Sequence, residues 1–219
     1  MKTALNKKYI LVICLLSFIT FSSCKKGTPT PRQPQQPQAQ HKQLPAAEPT
    51  ATKTEQPPKP QLNISKSLMD IIERRTSWDP IMINLYGQQM PDFEVTDIAG
   101  KSHRLSQYHG KNVLIVMWAT WCQPCMHEVP ELITLREIMS EDKLAILAIS
   151  NEDSATVAKT VQAKKMNYTV IAAKQNLPKP FSDVDGIPTA FYIKPNGTLK
   201  LVTQGVARLG EMKAIIIAE

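Results

Sequence analysis

The most constraining stretch of this chain runs from Val113 to Cys125. An apolar segment, Val113-Leu114-Ile115-Val116-Met117, leads through Trp118-Ala119-Thr120-Trp121 into Cys122-Gln123-Pro124-Cys125. An apolar run of that length bounded by loop signals reads as a buried strand. Residues 126–139 then show helical periodicity. The cysteine pair therefore sits where a strand ends and a helix begins, and a CxxC pair beside a βαβ pattern reads as a redox dithiol. The spacing lets the two sulfurs close a small disulfide across the first helical turn. The free N–H groups and dipole of that turn favour a thiolate on Cys122.

The chain has four cysteines, and they are not equivalent. Cys14 lies inside an N-terminal apolar run, Cys24 ends that run, and only Cys122 and Cys125 fall in a sequence of globular character. One dithiol is no disulfide framework; it is catalytic, a lone staple, or half of a metal site. A closed zinc site needs four ligands, and no second CxxC or HxxxH follows, which argues against zinc.

Residues 1–24 read as a targeting segment. Lys2, Lys7 and Lys8 give a positive start, the run from Tyr9 to Phe21 is broken only by Ser17 and Thr20, and Ser22-Ser23 precede Cys24. This is the pattern of a secretory signal, and its apolar core falls short of the roughly 20 residues of a spanning helix. Small residues directly before a cysteine resemble a bacterial lipobox, which marks Cys24 as a lipidation site; Phe21 departs from the aliphatic residue usual there. Residues 25–63 are rich in Pro and Gln and hold no Phe, Tyr, Trp, Val or Ile. Such a segment cannot bury enough apolar area to offset its ordering entropy, and its prolines favour an extended spacer. The net charge of +7 belongs to these first segments, since residues 64–219 hold equal numbers of basic and acidic side chains. That balance argues against a nucleic-acid-binding face on the folded part.

Residues 64–219 have the length of one domain. Ile64, Leu68, Ile71 and Ile72 share one face of a short helix, followed by an irregular piece in which Trp78 packs as an apolar plug. Strand-like alternation covers 90–97, a turn follows, and a short extended piece resumes at His103. Beyond the CxxC helix come a buried strand over 144–149, a helix over 155–165 capped by Ser154, and a strand over 168–172. A hairpin folds around Pro195-Asn196-Gly197, and a last helix spans 209–218. Strands alternating with helices and ending in a hairpin give an α/β fold, a mixed central sheet flanked by helices.

This order is that of a thioredoxin-like fold. Met90-Pro91-Asp92-Phe93, Leu105-Ser106 with Gly110-Lys111, Trp118 to Cys125, Glu128 with Pro130, and Gly186-Ile187-Pro188-Thr189 resemble the TlpA/ResA group of extracytoplasmic thiol-disulfide reductases. The match covers nearly all of 88–219, and the helix and strand at 154–172 resemble the insertion of that group. The resemblance implies roles. Cys122 is the attacking thiolate and Cys125 the resolving thiol, together forming the redox-active disulfide. Pro188 is a cis-proline facing them, Ile187 offers its backbone to an extended client segment, and Trp121 belongs to the docking surface.

Glu128 lies three residues after Cys125 and shares its helix face. A carboxylate there raises thiol pKa and can shuttle protons between the sulfurs. Thioredoxins proper carry a buried Asp in the preceding strand; the matching position here is Val116, so Glu128 resembles a substitute. A solvated helix glutamate is the competing reading. His103, His109 and His127 read as solvated side chains, and the methionines as core filler.

The expectation is a membrane-tethered thiol-disulfide oxidoreductase of the bacterial cell envelope, its domain on the periplasmic side. It reduces disulfides in client proteins by dithiol exchange. Exchange requires no metal and no organic cofactor. In an oxidising compartment the enzyme needs electrons, and the resemblance implies a transmembrane thiol donor. The alternatives are a disulfide oxidase or isomerase on the same fold, a thiol peroxidase, and a Cu(I)-handling module.

Overall fold

The computed structural model describes residues 64–173 and 177–219. The signal segment, the tether and Cys24 lie outside the described residues. Among the described residues, no helix is long and apolar enough to cross a membrane.

The centre is built from strands that are apolar along their whole length. β4 (Asn112–Met117) is buried over its four middle residues and β5 (Leu144–Ser150) over all seven. Such runs need cover on both faces, the situation of parallel strands inside a sheet. β4 pairs in parallel with β5, and β5 in parallel with β6 (Thr169–Ala172). On its other side β4 pairs antiparallel with β7 (Thr189–Ile193), which forms the expected hairpin with β8 (Leu199–Gly205). The two crossovers carry α2 (Gln123–Ile138) and α3 (Ser154–Lys164). Right-handed crossovers that step the same way along a sheet put both helices on one face. Buried residues of α2 and α3, of α1 (Lys66–Glu73) and of α4 (Leu209–Ile217) accordingly join one apolar cluster. The opposite face is covered by the hairpin of β2 (Glu94–Thr96) and β3 (Ser102–Arg104), with Phe93, Leu105 and Phe181. The thioredoxin-like expectation, with its mixed sheet and flanking helices, is met.

Three local readings change. The piece around Trp78 is not irregular: Trp78–Ile81 is strand β1, at the sheet edge against β8. Pro80 hid it, because proline reads as a breaker, yet an edge strand has a neighbour on one side only and admits it. Trp78 is the expected plug, 3% exposed. Across from it, Gly205 has φ +108, and a Cβ there would meet Ser77 O at 2.5 Å; only glycine lets the two backbones approach. The second change is the cap of α3. Asp153, not Ser154, accepts the Thr156 N–H at 2.9 Å. Third, the strand within 90–97 is confined to β2, with a single bridge from Asp97 to Ile171 beyond it and Met90 and Phe93 buried before and beside it.

Candidate active site

α2 starts where β4 has delivered the chain to the end of the sheet. Ala119 O accepts the Cys122 N–H at 3.2 Å, closing a turn over 119–122. Cys122 is the N-cap of α2, with Pro124 in the first helical turn. Proline suits that turn, since its missing N–H is one that no helical carbonyl would accept. Cys122 and Cys125 form a disulfide with a Cα–Cα distance of 5.2 Å. The Cys125 N–H points at Cys122 Sγ from 3.2 Å. Once the bond is reduced, that N–H and the helix N-terminus stabilise a thiolate on Cys122. In the disulfide form both cysteines are buried, Cys122 at 4% and Cys125 at 2% exposed.

The loop before β7 closes over the disulfide. The Ile187–Pro188 peptide is cis, and Ile187 O lies 3.7 Å from Cys122 Sγ. Pro188 O accepts the Gly205 N–H at 2.9 Å, and Thr189 Oγ1 donates to Gly186 O at 2.7 Å, so the loop is tied to the sheet on both sides of the proline. Trp121 is 70% exposed. A cleft of about 420 Å³ opens beside it, with Met117, Asn151, Val184 and Ile187 in its walls.

Glu128 is not solvated. It is 2% exposed, one turn beyond Cys125 on the face of α2 that enters the core. Its Oε1 accepts the Ala207 N–H at 2.9 Å. Burial pushes its carboxyl up to about 7, against the Ala207 hydrogen bond, and Glu131 nearby adds to the rise. Val116 is buried in β4 and apolar, and among the described residues Glu128 is the buried carboxyl.

His103 contradicts its solvated reading. It lies in β3 and is 4% exposed, with Nε2 bonded to Asp97 Oδ2 at 2.8 Å and Nδ1 bonded to the Tyr108 hydroxyl. Alternation placed 103 in an extended piece, but nothing local announced two partners. His127 is exposed on α2, as expected. Among the described residues, no group of three or more His, Cys, Asp or Glu side chains is placed to hold a metal.

One residue of the site escaped the sequence reading. Glu152, just past β5, accepts the Thr120 N–H at 2.7 Å, the Thr120 hydroxyl at 2.6 Å and the Ser150 hydroxyl at 2.9 Å. The contact spans 32 residues, and only the parallel pairing of β4 with β5 brings its ends together.

The AhpC/TSA family model matches residues 86–202. A ResA thiol-disulfide oxidoreductase from Geobacillus kaustophilus is 34% identical over 120 residues, 54% of this chain and 69% of that protein. The chain belongs to the AhpC/TSA family, among the ResA-type thiol-disulfide oxidoreductases. The ResA of Bacillus subtilis is 29% identical over 54% of this chain and 67% of its own length. Two solved structures show the same fold. A thioredoxin-family thiol:disulfide interchange protein from Chlorobium tepidum superimposes with a TM-score of 0.51 at 24% identity, covering 58% of this chain and 92% of that one. An exposed lipoprotein thioredoxin from Streptococcus pneumoniae superimposes with a TM-score of 0.52 at 22% identity, covering 57% and 98%. The protein is thus a thiol-disulfide oxidoreductase whose cysteine pair is Cys122 and Cys125.

Proposed function

We propose that this oxidoreductase reduces disulfides in client proteins outside the cytoplasm. A lipid on Cys24 holds it to a membrane, and a transmembrane thiol carrier supplies its electrons. One observation carries the catalytic part: Cys122 Sγ sits at the N-cap of α2 and 3.7 Å from the Ile187 carbonyl. An extended client segment lying along Ile187 and Pro188 therefore presents its disulfide to Cys122, with Trp121 and the neighbouring cleft taking the flanking side chains.

Exchange then runs in two steps. The Cys122 thiolate attacks one client sulfur, forming a mixed disulfide, and the other client sulfur leaves as a thiolate that takes a proton. The Cys125 thiol loses its proton and attacks Cys122 Sγ. The mixed disulfide breaks, the second client thiolate departs, and the Cys122–Cys125 bond remains. The client gains two electrons and the enzyme loses them. Glu128, with its carboxyl near 7 and one turn from Cys125, accepts the Cys125 proton in the second step. A group poised near the working pH is the most effective base.

Cys125→Ser tests this assignment. With no resolving thiol, the variant accumulates a higher-mass adduct on non-reducing gels that collapses on adding reductant, whereas Cys122→Ser traps little. Equal trapping by both variants overturns the division of roles. The direction is read from the equilibrium with glutathione. A potential of roughly −270 mV supports a reductase, and one above about −180 mV assigns an oxidase or isomerase instead. The anchor is tested by Cys24→Ser, which releases the protein from the membrane fraction; unchanged mass and partitioning rule out acylation there.

A further inference from the structure

Thr120 occupies the second position of the turn closed by the Cys122 N–H and Ala119 O. The N–H at that position faces away from the turn's own hydrogen bond and needs an acceptor from elsewhere. Glu152 supplies it, and takes the Thr120 hydroxyl as well, at 2.7 and 2.6 Å. Glu152 is itself held, because Ser150 Oγ donates to its carboxylate at 2.9 Å and accepts its backbone N–H at 3.2 Å. Ser150 is 1% exposed and paired with Ala172 across β5 and β6. A rigid sheet strand thus grips the segment that ends in the attacking cysteine. Burial works to raise the Glu152 carboxyl, and the bonds from Thr120 and Ser150 outweigh it, holding the group below the usual carboxylate range. The charge is therefore present at neutral pH. Asp153 adjoins it, and its carboxylate binds the Thr156 N–H and hydroxyl at the start of α3.

We propose that Glu152 is a positioning residue for the redox turn, and that its fixed negative charge biases the Cys122–Cys125 pair toward the disulfide. The inference rests on the dithiol-exchange reading above. Two effects follow from the one side chain. Holding Thr120 fixes the approach of Cys122 to Ile187, where the client segment docks. The carboxylate, tied two residues before Cys122, opposes the thiolate that the helix N-terminus favours. Destabilising the thiolate of the reduced form leaves the disulfide relatively more stable, which is the balance a reductase needs.

Glu152→Gln and Glu152→Ala separate the two effects. Gln is nearly isosteric; its amide oxygen still accepts the Thr120 N–H, and its NH₂ donates to a hydroxyl, so the grip survives and the charge is lost. In the full chain, the Cys122 thiol pKa is read from the pH dependence of alkylation by iodoacetamide. The equilibrium constant is read against mixtures of reduced and oxidised glutathione. For Glu152→Gln we expect the thiol pKa to fall by about half a unit and the constant to move about threefold toward the dithiol, the effect of one partly screened charge. Glu152→Ala gives the same shift and, in addition, about a tenfold loss in the rate of disulfide exchange at a pH above both thiol pKa values, a loss that Glu152→Gln does not show. Thr120→Val, which removes one of the two bonds, loses rate with no shift in thiol pKa, and it decides the positioning claim should the alanine variant fail to fold. A wild-type thiol pKa and equilibrium constant in Glu152→Gln overturn the bias. A wild-type exchange rate in Thr120→Val and Glu152→Ala overturns the positioning. Failure of the unmodified protein to exchange with glutathione at all overturns instead the exchange reading on which this inference stands.

Discussion

Glu128 on α2 and His103 on β3 are both ionisable and both buried, at 2% and 4% exposure, but their surroundings differ. At the β2–β3 hairpin both ring nitrogens of His103 and both carboxylate oxygens of Asp97 are matched. Asp97 bonds the ring at Nε2, Tyr108 bonds it at Nδ1, and Asp97 Oδ1 also takes the N–H groups of Ala99 and Lys101 at 2.9 Å each. Burial works to raise the Asp97 carboxyl, yet these bonds hold it below the usual range. Beneath the dithiol, Glu128 has the Ala207 N–H for a partner and an acidic neighbour, Glu131. The hairpin uses its buried polar groups to fix one geometry. The redox end of α2 tolerates an under-matched carboxyl, and the result is a proton that is exchanged near neutral pH. A fully satisfied network reads as architecture, and a buried acid without a countercharge reads as a site.

The largest effect expected on this comparison is at the dithiol itself. Cys122→Ser should reduce disulfide exchange to background, a loss of at least about a thousandfold in a glutathione or insulin assay, while leaving the hairpin intact. Next is Glu128→Gln. The folded-state carboxyl sits near 7 against an ordinary value of 4.5. The protonated form is therefore favoured by folding, and this contribution is complete below about pH 4.5 and lost as pH rises through 7. Glutamine does not suffer that loss. Glu128→Gln should be more stable than the parent by up to about 3 kcal/mol at pH 8 in urea melts of the oxidised protein, with the gap closing below about pH 4.5. A constant gap across pH would mean that Glu128 does not titrate in the core.

His103→Leu should behave in the opposite way. It strands Asp97 Oδ2 and the Tyr108 hydroxyl, and should cost about 2 kcal/mol in the same melts, with the glutathione equilibrium unchanged. A shifted equilibrium would break the division between an architectural hairpin and a redox end. The smallest effect on stability belongs to Trp121→Ala. At 70% exposure the side chain contributes little to folding, and the change should lie within about 0.5 kcal/mol. The same variant should raise the KM for a disulfide peptide several-fold, because the indole contributes its area to docking.

Much of the fold was legible because its signals are local. Leu144 to Ile149 is apolar without interruption, so a doubly covered strand is its only economical state. Pro195-Asn196-Gly197 specifies a hairpin turn, and Gly197 adopts φ +81 in it. Cys122 and Cys125 stand three positions apart at a strand-to-helix junction, which identifies the chemistry before any contact is known. β1 was missed because the residues that make Trp78 to Ile81 a strand belong to β8, more than a hundred positions later.

By itself the amino-acid sequence determined the dithiol, the helix it caps, and the order of strands and helices beyond β1. These follow from periodicity and spacing within a few residues, while the family was implied by the resemblance of motifs such as Trp118 to Cys125 and Gly186 to Thr189. Tertiary structure decided that Glu128 is buried beneath the Ala207 N–H, that His103 is locked between Asp97 and Tyr108, and that Glu152 grips Thr120. A side chain's exposure and the sum of its hydrogen bonds depend on which distant segments pack beside it, and those quantities set whether a carboxyl keeps its proton, whether a histidine is architecture, and how firmly a cysteine is held.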